Sequence, residues 1–406
     1  MLETFLCYAI FGLSAVLSVP SGIYAVECSI GSLPLQRRRV AEFGLKANAA
    51  VTAVLVPAHN EESGIADTLA NIGAQLCDQD RLIVVADNCS DRTAALAQEA
   101  GAEVIERFDV DRRGKGYALD AGIRHLEKMP PEIVVLMDAD CRLGEKALER
   151  LRASVLASGM PGQSRNLMTA PDGAAPNLLV AEFAFLVKNY VRPLGLVRMN
   201  LPCHATGTGL AIPWHALRGA DVAHAHRVED MKLGLDLASA GYAPRFCEEA
   251  LVTSQFPCSG EGANAQRRRW EGGHLEMIRS ELRSLVNPLV LRNPARLALA
   301  LDLMVPPLTL LVLLLASVML LSVMLAASGL SSWPLVIATV NLALVFVATL
   351  GAWYVHGRKA LPAATISRIP LYVLWKLRLY PRALLGANEG WVRTDRDKDV
   401  SGESRT

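Results

Sequence analysis

Three runs of this chain contain no charged residue and are long enough to cross a bilayer: Phe5 to Val26, Leu303 to Ala327 and Pro334 to Val355. About 20 consecutive apolar residues suffice for a transmembrane helix. Any fold for the chain must therefore satisfy two solvents, lipid at the runs and water over the long polar stretch between the first and second. Composition agrees: 51% of the 406 residues are hydrophobic, which is high for a soluble protein and low for a transporter built of helices alone. The runs are too bare of ionisable residues to line a transport pathway. A formal net charge of +1 gives no field that would gather nucleic acid. The eight cysteines are scattered without a CxxC pair, as expected of reduced cytoplasmic thiols rather than a disulfide frame or a zinc site.

The charges flanking the runs set an expected topology. The start, MLET, has Glu3 and no Lys or Arg, the wrong beginning for a signal peptide. The basic flank Gln36-Arg37-Arg38-Arg39 follows the first run, which puts the N-terminus outside and residues 31–300 in the cytoplasm. The second and third runs form a hairpin around Ser328 to Trp333, with a basic exit at His356-Gly357-Arg358-Lys359. A buried core helix pair is the plainer reading of that hairpin, and its length argues against it. A multi-pass protein of the inner membrane is expected. Ile366 to Leu385 interleaves Arg368, Lys376, Arg378 and Arg382 with Tyr372, Trp375 and Tyr380; the pattern fits an amphipathic helix lying in the membrane interface. Leu285 to Leu301 is expected to do the same before the second run, and the charged tail from Thr394 onward to be disordered.

The polar stretch opens with short apolar runs that read as buried strands: VTAVLV at 51–56, RLIVVA at 81–86 and IVVLM at 133–137, with a further strand at 102–106. Helices are expected between them over 61–75, from Thr93 to Ala100 with Ser90 or Asp91 as N-cap, and from Ala118 to Lys128. Strands that are nearly all apolar and alternate with helices imply an α/β domain with a mostly parallel sheet. Such sheets bind ligands beyond the carboxyl ends of their strands. The polar clusters His59-Asn60-Glu61-Glu62, Asp87 and Asp138-Ala139-Asp140 all fall there.

Two carboxylates one residue apart repel unless solvated or bridged by a cation, and Mg²⁺ and Mn²⁺ favour such hard oxygen ligands together with substrate phosphates. Taken alone, Asp138 and Asp140 are better explained by a solvated turn, with Asp140 capping a helix over Glu145 to Ala153; the neighbouring motifs change that. Arg112-Arg113-Gly114-Lys115-Gly116 sets glycines beside cations, as phosphate loops do, but it lacks the GxxxxGK[ST] spacing of nucleoside triphosphatases. No GxGxxG follows the first strand, which counts against a nicotinamide enzyme. A basic surface loop is the plainer alternative. Glu229-Asp230 starts the helix expected from Met231 to Ala240, where an acid pair is favoured by the helix dipole. Gln266-Arg267-Arg268-Arg269-Trp270 places an aromatic after three cations; a lipid-facing basic patch accounts for it too.

Taken together, Val56-Pro57-Ala58-His59-Asn60-Glu61-Glu62, Asp87, Asp138-Ala139-Asp140, Glu229-Asp230 and Gln266-x-x-Arg269-Trp270 resemble a membrane-bound family 2 glycosyltransferase with a GT-A catalytic domain. The likeness covers about residues 51 to 275 and extends in membrane layout to chitin-oligosaccharide and hyaluronan synthases, which have the same QxxRW. It implies a Rossmann-like GT-A domain joined to transmembrane and interfacial helices. It also implies an inverting, metal-dependent transfer of sugar from a nucleotide-sugar, expected to be a UDP-sugar, to a glycan or lipid-linked acceptor at the bilayer. Pro57, Ala58, Asn60, Glu62 and Asp87 would hold base and ribose. Asp138 and Asp140 would meet the nucleotide and the Mg²⁺ or Mn²⁺. Asp230, beside Glu229, would be the general base. Lys115, Gln266 and Arg269 would face the diphosphate, Trp270 the acceptor end, and Gly207 and Thr208 an acceptor loop. Where many relatives have His after the DxD, this chain has Cys141.

The expected layout is a transmembrane helix over 1–30, a basic linker over 31–50, the cytoplasmic catalytic domain over 51–255, and the QxxRW segment with an interface helix over 256–302. A transmembrane hairpin over 303–356 and an interfacial helix with the charged tail over 357–406 complete it. Met160 to Pro176 is expected to be a mobile loop, and Leu178 to Leu196 to pack in a core, with contact to the membrane or the acceptor as the alternative. Synthesis of exopolysaccharide, capsule or cell envelope is the expected role, with a polyprenyl-linked single-sugar transferase as the near alternative. A sugar-nucleotide pyrophosphorylase-like enzyme would need a Gly-rich, basic loop where VPAHNEE stands and no membrane hairpin, and a non-enzymatic membrane scaffold or transporter subunit would carry polar or ionisable residues in its spans, which are almost bare of them.

Overall fold

The computed structural model describes residues 1–34, 50–257, 260–367 and 369. The basic flank at 36–39, nearly all of the amphipathic segment expected over 366–385 and the charged tail lie outside the described residues. The chain divides into two compact units: Met1–Leu35, Ala174–Leu201 and His274–Gly386 make one, and Gln36–Gly173, Pro202–Gly273 and Ala387–Thr406 the other.

The second unit is built on an eight-stranded sheet in the order β3-β2-β1-β4-β7-β6-β8-β5. Its strands are β1 (Thr52–Ala58), β2 (Arg81–Asp87), β3 (Glu103–Arg107), β4 (Ile133–Leu136), β5 (Arg142–Leu143), β6 (Gly162–Thr169), β7 (Leu210–Pro213) and β8 (Arg245–Gln255). β1 pairs in parallel with both β2 and β4, β2 with β3, and β6 with β8. β7 runs antiparallel to β4 and β6, and β5 antiparallel to β8. Side-chain alternation gives each face its own core. On one face Val54, Val56, Val84 and Val135 pack with Ile65, Leu69 and Ile72 of the helix Ile65–Gly73 and with Leu148 and Leu151 of the helix Ala147–Ser158. On the other, Ala53, Leu55, Ile83, Val85 and Val134 pack with Leu119, Ile123 and Leu126 of the helix Lys115–Leu126 and with Leu233 and Leu237 of the helix Glu229–Ser239. Burial on both faces is why these strands read as unbroken apolar runs. One ion pair is enclosed here: Arg152 binds Asp80, whose carboxylate also accepts from the amides of Thr52 (2.9 Å) and Cys77 (2.7 Å).

Three elements differ from the pattern reading. The helix expected from residue 61 begins at Ile65, because Glu61 and Glu62 turn their amides to Thr93 Oγ1 (2.7 Å) and Asp91 Oδ2 (3.1 Å). The helix expected from Ala118 begins at Lys115. Met160 to Pro176 is not all loop: residues 162–169 form β6, parallel to β8, and 170–175 lead without strand or helix to Pro176. The Pro and Gly residues of this segment are the signal for a loop, yet Gln163, Ser164 and Asn166 are buried. Gln163 accepts from Thr206 N (3.0 Å) and donates to Thr208 O (2.9 Å), while Asn166 donates to Thr206 O (3.2 Å).

The first unit holds the three apolar helices. Helices spanning Glu3–Ser32, Leu308–Ala327 and Trp333–Gly357 are long and apolar enough to cross a membrane. The first and third share a polar seam, in which Asn341 donates to Ser14 O (3.0 Å) and Ser18 Oγ (3.1 Å) and Tyr24 meets Thr349 (2.8 Å). Hydrogen bonds of this kind fix helix register where apolar contact is unselective. Leu178 to Leu196 belongs to this unit and not to the sheet; it forms the helices Pro176–Leu186 and Arg192–Arg198, joined by a π turn. Gly31 and Gly195 let the first helix and Arg192–Arg198 touch backbone to backbone, since a Cβ on either would strike a carbonyl of the other. Arg192 then binds Glu27 (Nε to Oε2, 2.6 Å) and Asp302. The stretch expected as an interface helix is broken into Ser284–Val286, Pro288–Leu291 and Pro294–Leu303, with Val286 and Leu289 exposed. The seven described cysteines are free thiols.

Candidate active site

The strand order decides where the site lies. After β1 the chain steps outward to β2 and β3, then returns to β4 on the other side of β1. Loops leaving β1 and β4 diverge, and the crevice between them is the ligand position in such sheets. Pairing of β1 with β4 stops at Leu55 opposite Leu136. Leu55 O accepts from Met137 N (3.1 Å), so Pro57, two residues on, faces the same side beyond the end of β4. A residue without an N–H is tolerated there because no ladder bond is lost.

The β1 loop and the end of β2 form one polar lattice. Asn60, at φ 54°, accepts from Ser90 N (2.8 Å). Glu62 accepts from Arg92 N (3.2 Å), and His59 Nδ1 meets Asp87 O (2.6 Å). Ala58 is buried and Pro57 half-buried. Asp91 Oδ1 receives Thr93 N (3.0 Å) and Thr93 Oγ1 (2.5 Å), so the side-chain cap comes from one residue before the N-cap position, Arg92. Asp87 is buried and bound by Arg107 (2.6 Å) at the end of β3. Arg107 also lies over the Tyr117 ring, 5.6 Å from its centre. Sequence reading passed over Arg107; its signal was a cation at the carboxyl end of a strand beside the crevice.

Asp138 and Asp140 follow β4. One ligand atom from each, together with Cys141 Sγ, lies within 4.8 Å of the other two. The two carboxylates suit a hard divalent cation. The Cys141 thiol does not: burial, then the charges of Asp140 and Asp138, push its pKa well above the ordinary value, so it stays protonated. Burial likewise raises Asp138, with Lys115 opposing and Asp140 adding to it. Lys115 brings positive charge into the cluster. Its Nζ lies 2.5 Å from Asp138 Oδ1 and 3.7 Å from Glu229 Oε1, and donates to Gly207 O (2.6 Å). Burial disfavours its charge, but Asp138, Glu229 and Asp230 outweigh that and hold its pKa above the usual lysine range. Glu229 is pushed up to about 7, by burial first, with Lys115 opposing and Asp230 contributing.

The loop 204–209 closes the cluster. Gly207 has φ +81°, and a Cβ placed there would come within 3.2 Å of Asp230 Oδ2 and 3.4 Å of Lys115 Nζ. Both the left-handed backbone and the close approach call for glycine. Thr208 Oγ1 accepts from Asp138 N (3.1 Å), tying this loop to the strand end. A pocket opens between Lys115, Gly207, His224, Glu229 and Asp230 over a floor that includes Leu119, Leu136 and Leu233. Gln266, Arg269 and Trp270 are half-buried on the helix Gly260–Glu281, and their spacing puts them on one helical face. That helix packs at Gly273 against the two residues before the acid pair, where a Cβ would stand 2.7 Å from Val228 Cγ1 and 3.3 Å from Arg227 Cβ.

The model of the family described as glycosyltransferase-like family 2 matches residues 49–273. The chain belongs to that family. Over 165 residues it is 31% identical to a 4,4'-diaponeurosporenoate glycosyltransferase of Staphylococcus haemolyticus, covering 39% of this chain and 41% of that protein. Over 100 residues it is 37% identical to the low-salt glycan biosynthesis hexosyltransferase Agl6 of Haloferax volcanii, covering 24% and 23%. The chain thus spans less than half the length of either curated relative. In fold it is similar to a mannosyltransferase of Pyrobaculum calidifontis solved with GDP-Man and Mn²⁺, at a TM-score of 0.52 and 16% identity over 92% of this chain and 99% of that one.

Proposed function

We propose that this family 2 protein transfers a hexose from a nucleoside-diphosphate sugar to a hydroxyl of a membrane-associated acceptor, with inversion at the anomeric carbon. The observation that supports it best is the gathering of Asp138, Glu229 and Asp230 around Lys115, with Asp140 beside Asp138, at the switch point of the sheet. Asp138 and Asp140 would hold the Mg²⁺ or Mn²⁺, which when bound supplies positive charge to the departing diphosphate. Lys115 adds a second cation on that side, and Arg269 with Gln266 is assigned to the same oxygens. Asp230, on the pocket wall, takes the proton of the acceptor hydroxyl. The acceptor oxygen bonds to the anomeric carbon as the bond to the phosphate oxygen breaks, and its electron pair leaves with the nucleoside diphosphate. General-base help of this kind is worth about 10²–10⁴-fold.

A UDP-sugar is the expected donor. GDP-mannose belongs in the same trial, because the mannosyltransferase of like fold was solved with it. An acceptor at the bilayer is supported by three helices of the same chain that are long and apolar enough to span it. A growing exopolysaccharide or capsule chain is the favoured acceptor, ahead of a single polyprenyl-linked sugar. The purified full chain in lipid nanodiscs is to be incubated with Mn²⁺ and UDP-glucose, UDP-galactose, UDP-N-acetylglucosamine or GDP-mannose, and free nucleoside diphosphate measured. Release from at least one donor, abolished by Asp230→Asn, is the expected result. Release from none of them above the Asp230→Asn baseline overturns the proposal.

A further inference from the structure

The pocket between Lys115 and Asp230 has one polar wall outside every motif considered so far. It comes from the segment leading to the acid pair, Asp221 to Val228. His224 lines the pocket with Glu229, Asp230 and Lys115. Its ring is oriented by its own loop: Nδ1 accepts from His226 N (3.4 Å), and the His226 ring stands at 78° to it. With Nδ1 accepting, the neutral imidazole carries its proton on Nε2. That Nε2 is shielded from solvent and has no hydrogen-bond partner among the described residues. Burial, with Lys232 and His226 adding to it, lowers the pKa of His224, in keeping with a neutral ring. A buried donor left without an acceptor is costly, and a ligand oxygen is one way to satisfy it.

The position of the segment is built in. A Cβ on Gly116 would collide with the carbonyl oxygens of Val222 and His224, so only glycine at the start of the helix Lys115–Leu126 lets this loop come so close. The pocket lies between the group paired with Asp138, on the diphosphate side, and Asp230, on the acceptor side. The transferred sugar has to bridge those two sides, because its anomeric carbon is bonded first to one and then to the other. The apolar floor of Leu119, Leu136 and Leu233 suits a face of C–H groups, and a lone N–H donor suits a hydroxyl oxygen.

We infer that His224 is a specificity-determining residue, donating from Nε2 to a hydroxyl of the hexose being transferred. This rests on the proposed transfer reaction and adds which side chain reads the sugar. Three variants test it in the full-length protein in nanodiscs: His224→Phe, His224→Gln, which restores a donor near Nε2, and Gly116→Ala, which displaces the loop. Calorimetry with UDP, GDP and the four nucleotide-sugars is combined with KM and kcat for each donor turned over.

His224→Phe is expected to bind the bare nucleoside diphosphate within about twofold of wild type. It should lose about tenfold or more in KM for the preferred sugar donor and flatten the preference among epimeric donors. His224→Gln should recover most of that preference, and Gly116→Ala should resemble His224→Phe. If His224→Phe keeps the wild-type KM and donor ranking, the inference is wrong, and a water or nothing satisfies the ring. If it loses UDP or GDP affinity as fully as nucleotide-sugar affinity, His224 is only structural, which is also fatal. A wild-type protein that binds and turns over none of the nucleotides removes the transfer reading and this inference together; a working wild type with an indifferent His224→Phe removes the inference alone.

Discussion

At the level of single residues, Asp138, Glu229 and Asp230 share the Lys115 ammonium, Asp140 stands beside Asp138, and each acid is proposed to have its own task. Asp230→Asn keeps the size and polarity of the group but removes its proton affinity. It is expected to retain donor binding in calorimetry while kcat falls about 10²–10⁴-fold; near-normal turnover would take Asp230 out of the mechanism. Asp140→Ala should instead abolish the Mn²⁺-dependent part of UDP binding, and unchanged Mn²⁺-dependent affinity would remove the metal role. Glu229 carries a pH signature. Its folded pKa is pushed up to about 7 from an ordinary 4.5, so between those values the metal-free folded state holds a proton that the unfolded chain releases. Stability is therefore expected to fall as pH rises through that window. Melting temperatures from pH 4.5 to 7.5 without divalent ions should show this decline, and Glu229→Gln should flatten it. The acids themselves were legible in the sequence as strand-end and helix-start pairs. Their common partner was not, because Lys115 lies far from Asp138 and Glu229 in sequence, and the glycines beside it point to a phosphate. His224 and Arg107 were overlooked for the same reason: each is meaningful only through neighbours that folding brings near.

Among the elements, apolar runs located β1, β2 and β4 well, because strands covered on both faces leave a contiguous signature. β6 escaped, since its buried positions are filled by Gln163, Ser164 and Asn166, of which Gln163 and Asn166 hydrogen-bond to the 206–208 loop rather than pack as apolar side chains. Composition cannot distinguish a polar side chain in water from one with a fixed partner. The enclosed pair of Arg152 and Asp80 tests the packing of helix Ala147–Ser158 against the sheet. Asp80→Ala leaves a buried guanidinium uncompensated and the amides of Thr52 and Cys77 without acceptors. A loss of about 3–5 kcal/mol is expected in denaturant unfolding of the purified protein. A loss below about 1 kcal/mol would mean that Arg152 finds water or another partner.

Considered as a whole molecule, the chain joins a family 2 sheet domain to helices able to span a bilayer. The expected topology puts the Ser328 to Trp333 turn outside and the acidic site inside. Leu330→Cys in a Cys7→Ser background should react with a membrane-impermeant maleimide in intact cells, while Glu145→Cys in the same background should react only after lysis; the reverse pattern would invert the topology. The sequence by itself determined the three apolar helices, the α/β class and the strand-end placement of the acidic motifs, because each is written in a local period or an uninterrupted run. Only the tertiary structure decided that β4 returns beside β1 to open the crevice, that polar residues 162–169 complete the sheet, and that 176–198 joins the apolar helices. It alone gathered Lys115 with Asp138 and Glu229, and placed His224 beside the acid pair. Those outcomes depend on pairings between distant residues, chosen by shape, hydrogen-bond satisfaction and charge balance in three dimensions.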